Sequence, residues 1–258
     1  MYQEYSIEYK TTTVYKEAVN GAFWRFLIIP EENPTQQLVN WEFSNSQDCP
    51  HQDAINGFGF RTIQLSPRQK FDVLSFAAHF TVIKKEINPF DFQLPMDRKA
   101  NYATLDKLEF QVDFAPFLGN TKWTTLPDAY ENLFWFDTNK TIFKNIQGLN
   151  TFVFDLLLLN NVVADVGIPL REVLEKKQGS CRDFTHLFCA LARINKIPVR
   201  YVSGYLHRGQ DYFEDSGMHA WAEVYIPEIG WTGVDPTHNL MSNTDYIKVS
   251  HGMDHSDC

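Results

Sequence analysis

A chain of 258 residues is long enough for one or two domains that bury their own cores, which excludes a miniprotein held together by disulfide or metal staples. With 44% hydrophobic and 21% charged residues, and 13 Gly and 12 Pro, the composition is that of a folded globular protein and not of a disordered or collagenous chain. The excess of 32 Asp and Glu over 23 Lys and Arg gives a net charge of −9, which repels phosphate backbones and anionic bilayers, so neither nucleic acid nor a membrane is an expected partner.

The opening residues, Met1 to Glu8, lack the basic start and apolar segment of a secretory signal, and the expected location is the cytoplasm. From there to about residue 87 the pattern is that of strands. Tyr5, Ile7 and Tyr9 alternate with Glu4, Ser6, Glu8 and Lys10, as on a half-buried strand. Further strands are predicted at 22–29, 38–43, 60–65 and 74–83, with Asn20-Gly21 and Asn56-Gly57 as turns, and this spacing predicts an antiparallel sandwich over 1–87. Pro89, Pro95, Pro116, Gly119 and Pro127 then punctuate a connecting segment with partial helix, placed at 88–148.

From 149 to 258 the period changes. Leu149, Phe152, Val153, Leu156 and Leu157 recur at three and four and predict a buried helix; others are predicted at 170–177 and at 181–194, where Phe184, Leu187, Phe188 and Leu191 make one stripe. The oily run 152–163 is broken by Asp155, Asn160 and Asn161 and falls short of the ~18 apolar residues that a membrane span needs. Strands return at 199–206, 219–226 and 231–235.

Four cysteines, Cys49, Cys181, Cys189 and Cys258, are too sparse for a disulfide framework, so thiol chemistry is the chemistry to look for. Ser180-Cys181-Arg182-Asp183 has the form of a helix start in which Ser caps and an acid three residues on answers it. Cys181 then stands on the first helical residue, where free N–H groups and the positive dipole end favour thiolate and can hold an oxyanion. Asp183 opposes ionisation, with Arg182 as its counterweight. Cys189, eight residues on and ~12 Å along the same helix, is out of disulfide reach and reads as a buried small hydrophobe. His186 points ~140° away from Cys181 around the helix and is a poor base for it.

A nucleophilic thiol needs a base and a group to orient that base. His219 opens one strand and Asp235 closes the next. On the first strand His219, Trp221, Glu223 and Tyr225 share one face. A symmetric four-residue loop over 227–230 would set Asp235 opposite Ala222, pointing away from His219. The pair can meet only with an odd offset, from a three-residue loop or a bulge, and Gly230 suits the latter. Asp183 is a candidate to line the cleft, Trp221 and Trp231 either wall it or fill the core, with the core favoured, and His238 either lines it or sits exposed on a turn, with the turn favoured. His251, Asp254, His255 and Cys258 have metal-ligand types but no supporting helical pattern, so no metal is expected, and a thiol, an imidazole and a carboxylate need no cofactor. Gly57-Phe58-Gly59 lacks the rest of a dinucleotide fingerprint.

The runs Gly179-Ser180-Cys181-Arg182-Asp183-Phe184, 197–205, His219-Ala220-Trp221-Ala222-Glu223-Val224, Gly230-Trp231 and Val234-Asp235-Pro236-Thr237 resemble the bacterial transglutaminase-like cysteine peptidases across about residues 168–240. The resemblance implies a papain-like, transglutaminase-like α+β core behind a β-rich N-terminal domain. It implies Cys181 as nucleophile and backbone oxyanion donor, His219 as general base and acid, and Asp235 as the group that orients His219; no second oxyanion donor has a match. The substrate class it implies is a peptide or protein, cleaved through a thioester. Opening that thioester by an amine instead of water would make the protein a transglutaminase, and a non-catalytic binding module is the third reading. Nothing in the sequence sets an oligomeric state.

Overall fold

The computed structural model describes residues 1–93, 98–160, 168–209 and 217–258, so Pro95 and the 161–163 end of the oily run lie outside the described residues. These residues form two compact units: Met1–Glu86 with Gly204–Gly217 and Tyr246–Ser250, and Ile87–Ser203 with Met218–Asp245 and His251–Cys258.

The first unit holds two three-stranded antiparallel sheets. β1 (Tyr2–Asn20), β3 (Gln36–Asn45) and β6 (Lys70–Lys85) pair in the order β1-β6-β3, and β2 (Trp24–Phe26), β4 (His51–Ile55) and β5 (Arg61–Leu65) in the order β2-β5-β4. Alternation drives the central strand: Phe76, Ala78, Phe80 and Val82 of β6 all point inward and are buried. Aromatic rings knit the inner faces together, with Phe26 of β2 4.4 Å from Phe76 and 5.8 Å from Phe43 of β3. The strand expected at 22–29 contracts to Trp24–Phe26, and β4, whose sequence His-Gln-Asp-Ala-Ile has no apolar alternation, forms because β5 offers it a ladder.

The second unit is α+β. Three short helices, α1 (Arg98–Leu105), α2 (Leu108–Asp113) and α3 (Ala115–Leu118), precede the longer α4 (Ile142–Leu156). Next come β7 (Leu158–Leu159), α5 (Leu170–Lys176), β8 (Gln178–Gly179) and α6 (Cys181–Ile194). Then follow β9 (Val199–Leu206), β10 (His219–Ile226), β11 (Gly230–Asp235) and β12 (Leu240–Met241), which pair in the order β12-β11-β10-β9, and β13 (Tyr246–Gly252), most of which belongs to the first unit. β7 and β8 make a two-residue parallel ladder immediately before Cys181.

Helix α6 is the axis of this unit. Phe184, Leu187, Phe188 and Leu191 are fully buried in one cluster with Ile146, Leu149 and Val153 of α4 and Ala222 and Val224 of β10. Because that cluster fixes α6 against β10, the first residue of the helix is held beside the first residue of the strand. Helix α4 starts seven residues before the expected position, where Thr141 caps it by accepting the Lys144 N–H at 3.2 Å. Among the described residues no helix is long and apolar enough to cross a membrane.

Candidate active site

Three chain segments supply the site. The first is the start of α6. Ser180 donates both its backbone N–H and its hydroxyl to Asp183 Oδ2, each at 2.8 Å, so the carboxylate ties down the turn that presents Cys181. Asp183 is therefore a buried capping residue and not part of the cleft lining; burial pushes its carboxyl pKa up, and the Ser180 hydrogen bonds oppose that. Gly179 is required by this packing, since a Cβ there would stand 2.6 Å from Asp183 Cβ. Gly179→Ala is expected to push Asp183 off Ser180 and to cost about 1–2 kcal/mol, the worth of a helix cap, with slower alkylation of Cys181; denaturant unfolding and iodoacetamide kinetics measure both.

The second and third segments are β10 and β11. Their ladder runs Ala222↔Val234 to Ile226↔Gly230, which leaves a three-residue loop with Glu228 at φ 68° and Gly230 at φ 94°. This is the odd offset that the geometry requires, supplied by loop length with Gly230 as the last paired residue. One further step of the register brings Asp235 level with Trp221, on the face that also carries His219. His219 Nε2 lies 2.8 Å from Asp235 Oδ2, and Cys181 is near enough to the imidazole to help raise its pKa.

Burial is graded along this line. Cys181 is partly exposed, His219 is 2% exposed and Asp235 is 0% exposed. Burial by itself would lower the His219 pKa; the hydrogen bonds and charges of Asp235 and Cys181 outweigh it and raise the value to about 10. Burial would raise the pKa of Asp235, but two imidazole hydrogen bonds hold it well below the ordinary carboxylate range. An ionised carboxylate and an imidazole that accepts protons readily are the pair a thiol needs in order to lose its own.

Asp235 has further partners. Oδ1 accepts the N–H groups of Thr237 at 2.9 Å and His238 at 3.3 Å, and Oδ2 also faces His238 Nδ1 at 2.7 Å. His238 is thus drawn into the site by both its backbone and its ring. The signal was local: Asp-Pro-Thr-His is an Asx-turn sequence, in which the acid side chain binds backbone two and three residues on and turns that residue back toward itself. The ligand atoms of His219, Asp235 and His238 all lie within 4.8 Å of one another, as a metal site would require. Yet 2.7 and 2.8 Å are hydrogen-bond spacings, whereas two ligands of a tetrahedral zinc stand about 3.4 Å apart.

Other expectations resolve differently. Trp221 is 2% exposed and stacks on His219 at 6.3 Å, so it backs the imidazole from inside the core and does not wall an open cleft. Trp231 pairs with Tyr225, six residues from His219 and ~20 Å along the strand, where Arg200 lies over its ring at 4.2 Å; it is outside the site. His186 is fully buried against His255, and burial drives its pKa down to about 3, so it stays neutral and is no base for Cys181. The tail residues go to separate partners: His251 to Arg200, Asp254 to the Ser256 N–H, His255 to His186 and Cys258 to the Tyr201 carbonyl. Cys189 is 0% exposed, with its thiol pKa pushed up to about 11.

Residues 139–236 match the model of the transglutaminase-like superfamily. Over nearly its full length the chain is similar to an uncharacterized protein of Mycobacterium tuberculosis, with 22% identity across 276 residues that cover 98% of this chain and 84% of the relative. A shorter likeness, 31% identity over 74 residues covering 26% of this chain and 11% of the other, links it to the protein-glutamine gamma-glutamyltransferase of Pseudomonas aeruginosa. In structure it resembles a candidate cysteine protease from Cytophaga hutchinsonii, with a TM-score of 0.77, 19% identity, and coverage of 100% of this chain and 86% of that one, which is a likeness of fold.

Proposed function

We propose that this protein is a thiol-dependent acyl-transfer enzyme that hydrolyses peptide or other amide bonds. The support is the continuous line from the partly exposed Cys181 sulfur through the His219 ring to the buried Asp235 carboxylate. The thiolate attacks the amide carbonyl, forming the S–C bond, while N–H groups of the first turn of α6, that of Cys181 among them, receive the oxyanion. His219 gives its proton to the leaving nitrogen as the C–N bond breaks, and a thioester remains. Neutral His219 then takes a proton from water, whose oxygen displaces sulfur and frees the acid. Asp235 holds the imidazole in the required tautomer through both steps.

An amine can open the same thioester, and the 74-residue likeness to a protein named as a glutamyltransferase favours that second reading. Incubation with a glutamine-bearing peptide and a labelled amine separates the two: released acid is expected to exceed conjugate, and conjugate in excess would reverse the assignment. The enzyme reading also requires that iodoacetamide at neutral pH label Cys181 faster than the partly exposed Cys49 and Cys258 and far faster than buried Cys189. Labelling of Cys181 no faster than Cys49, together with no released acid and no conjugate, would leave a binding module.

A further inference from the structure

We propose that His238 is a positioning residue of this site, a second imidazole that clamps the Asp235 carboxylate and shares its charge with His219. This rests on the function proposed above. The Oδ2 atom receives His219 Nε2 at 2.8 Å and His238 Nδ1 at 2.7 Å, and the two rings stand 5.0 Å apart between centroids. An ionised carboxylate only accepts, so both of those nitrogens carry hydrogen, which fixes the tautomer of each neutral ring. Two donors fill both lone pairs of Oδ2, and the Thr237 and His238 N–H groups occupy Oδ1, so the carboxylate has no freedom to rotate away from His219.

His238 is itself anchored. The next residue, Asn239, sits at φ 54°, and its Oδ1 accepts from Asn150 Nδ2 at 3.2 Å and Thr151 Oγ1 at 3.1 Å, fastening the turn to α4. The His238 side chain is 17% exposed, so the ring bridges the buried carboxylate and the surface.

The groups that titrate around His219 are Cys181 from α6, Asp235 from β11 and His238 from the turn after it. The two chemical steps make opposite demands on the imidazole. It must hold a proton beside the thiolate, and it must be neutral in the thioester, where the thiolate charge is gone, in order to activate water. A carboxylate divided between two donors stabilises the imidazolium less than one devoted to His219, which eases the second step.

The test follows the ring of His219 by NMR in a Cys181→Ala background, which, like the thioester, has no thiolate. Adding His238→Ala is expected to raise the His219 titration midpoint by about one pH unit. Adding His238→Asn, whose amide nitrogen stands near the place of Nδ1, is expected to return the midpoint close to that of the background. With Cys181 present, the acid limb of kcat should move in the same direction for His238→Ala. A midpoint unchanged by His238→Ala, or one displaced equally by His238→Asn, overturns the proposal, because a purely structural turn residue would lower yield or stability without moving it. Loss of any Cys181-dependent turnover would overturn the enzymatic function instead, and the titration, taken without the thiol, would still decide the role of His238.

Discussion

Replacing Cys181 by Ala is expected to lower amide turnover by about 10³–10⁶-fold while leaving the melting temperature within a few degrees of the parent protein. The rate falls because Cys189, walled into the core, cannot take over the reaction, and the tail thiol of Cys258 is turned to the Tyr201 carbonyl. What survives is the contribution of bound substrate facing the helix N–H groups. Stability is spared because the sulfur is small and partly exposed, so its removal opens no sealed cavity and orphans no buried donor that water cannot reach. Steady-state assays and calorimetry on the same preparation check both parts. A loss smaller than about tenfold would assign the reaction to another nucleophile.

Asp235→Ala is expected to act on both rate and fold. Turnover should drop by about 10²–10⁴-fold, since His219 loses the acceptor that holds its tautomer and orientation. Removing one partner from a buried pair should cost about 3–5 kcal/mol, because the His219 N–H is left without an acceptor in a site 2% open to solvent. The penalty has a defined pH window. Asp235 ionises in the folded protein below its unfolded value of about 3.9, so its contribution is present above that pH and fades as the solution is acidified further. His219 is raised in the folded state, so its contribution is whole below about pH 6.5 and is lost as pH climbs through about 10. The stability gap between parent and Asp235→Ala should therefore be widest between about pH 4 and 6.5 and narrow on either side, as urea unfolding across that range would measure. A gap that is flat with pH would mean that the pair is not ionised in the folded protein.

Much of the second unit is written in local chemistry. Helix α6 begins and ends where its capping residues and apolar stripe place it, because Ser180, Asp183 and the three-four spacing all agree. The β10–β11 meeting follows from parity alone once His219 and Asp235 are required to touch. Other features depended on distant partners. The start of α4 was signalled by Thr141 and by Ile142, Phe143 and Ile146, but turn-like residues before them masked it. Strand β4 has no pattern of its own and exists through β5. Trp231 looks like a cleft aromatic in the motif, yet its register to Tyr225 carries it to the far end of the hairpin. The inward turn of His238 depends on one carboxylate serving backbone and side chains together, which residue-by-residue reading does not add up.

The three-residue loop between β10 and β11 has an evolutionary consequence. Gain or loss of a single codon within Pro227, Glu228 and Ile229, if the turn absorbed it by shifting the ladder, would rotate Asp235 to the opposite side of the sheet and abolish the proposed activity without unfolding the protein. Gaining a pair of codons would keep the carboxylate's side but slide it along its neighbour. Length variation among working descendants should accordingly concentrate elsewhere, and an indel in this hairpin would be a mark of a lineage that has abandoned the chemistry.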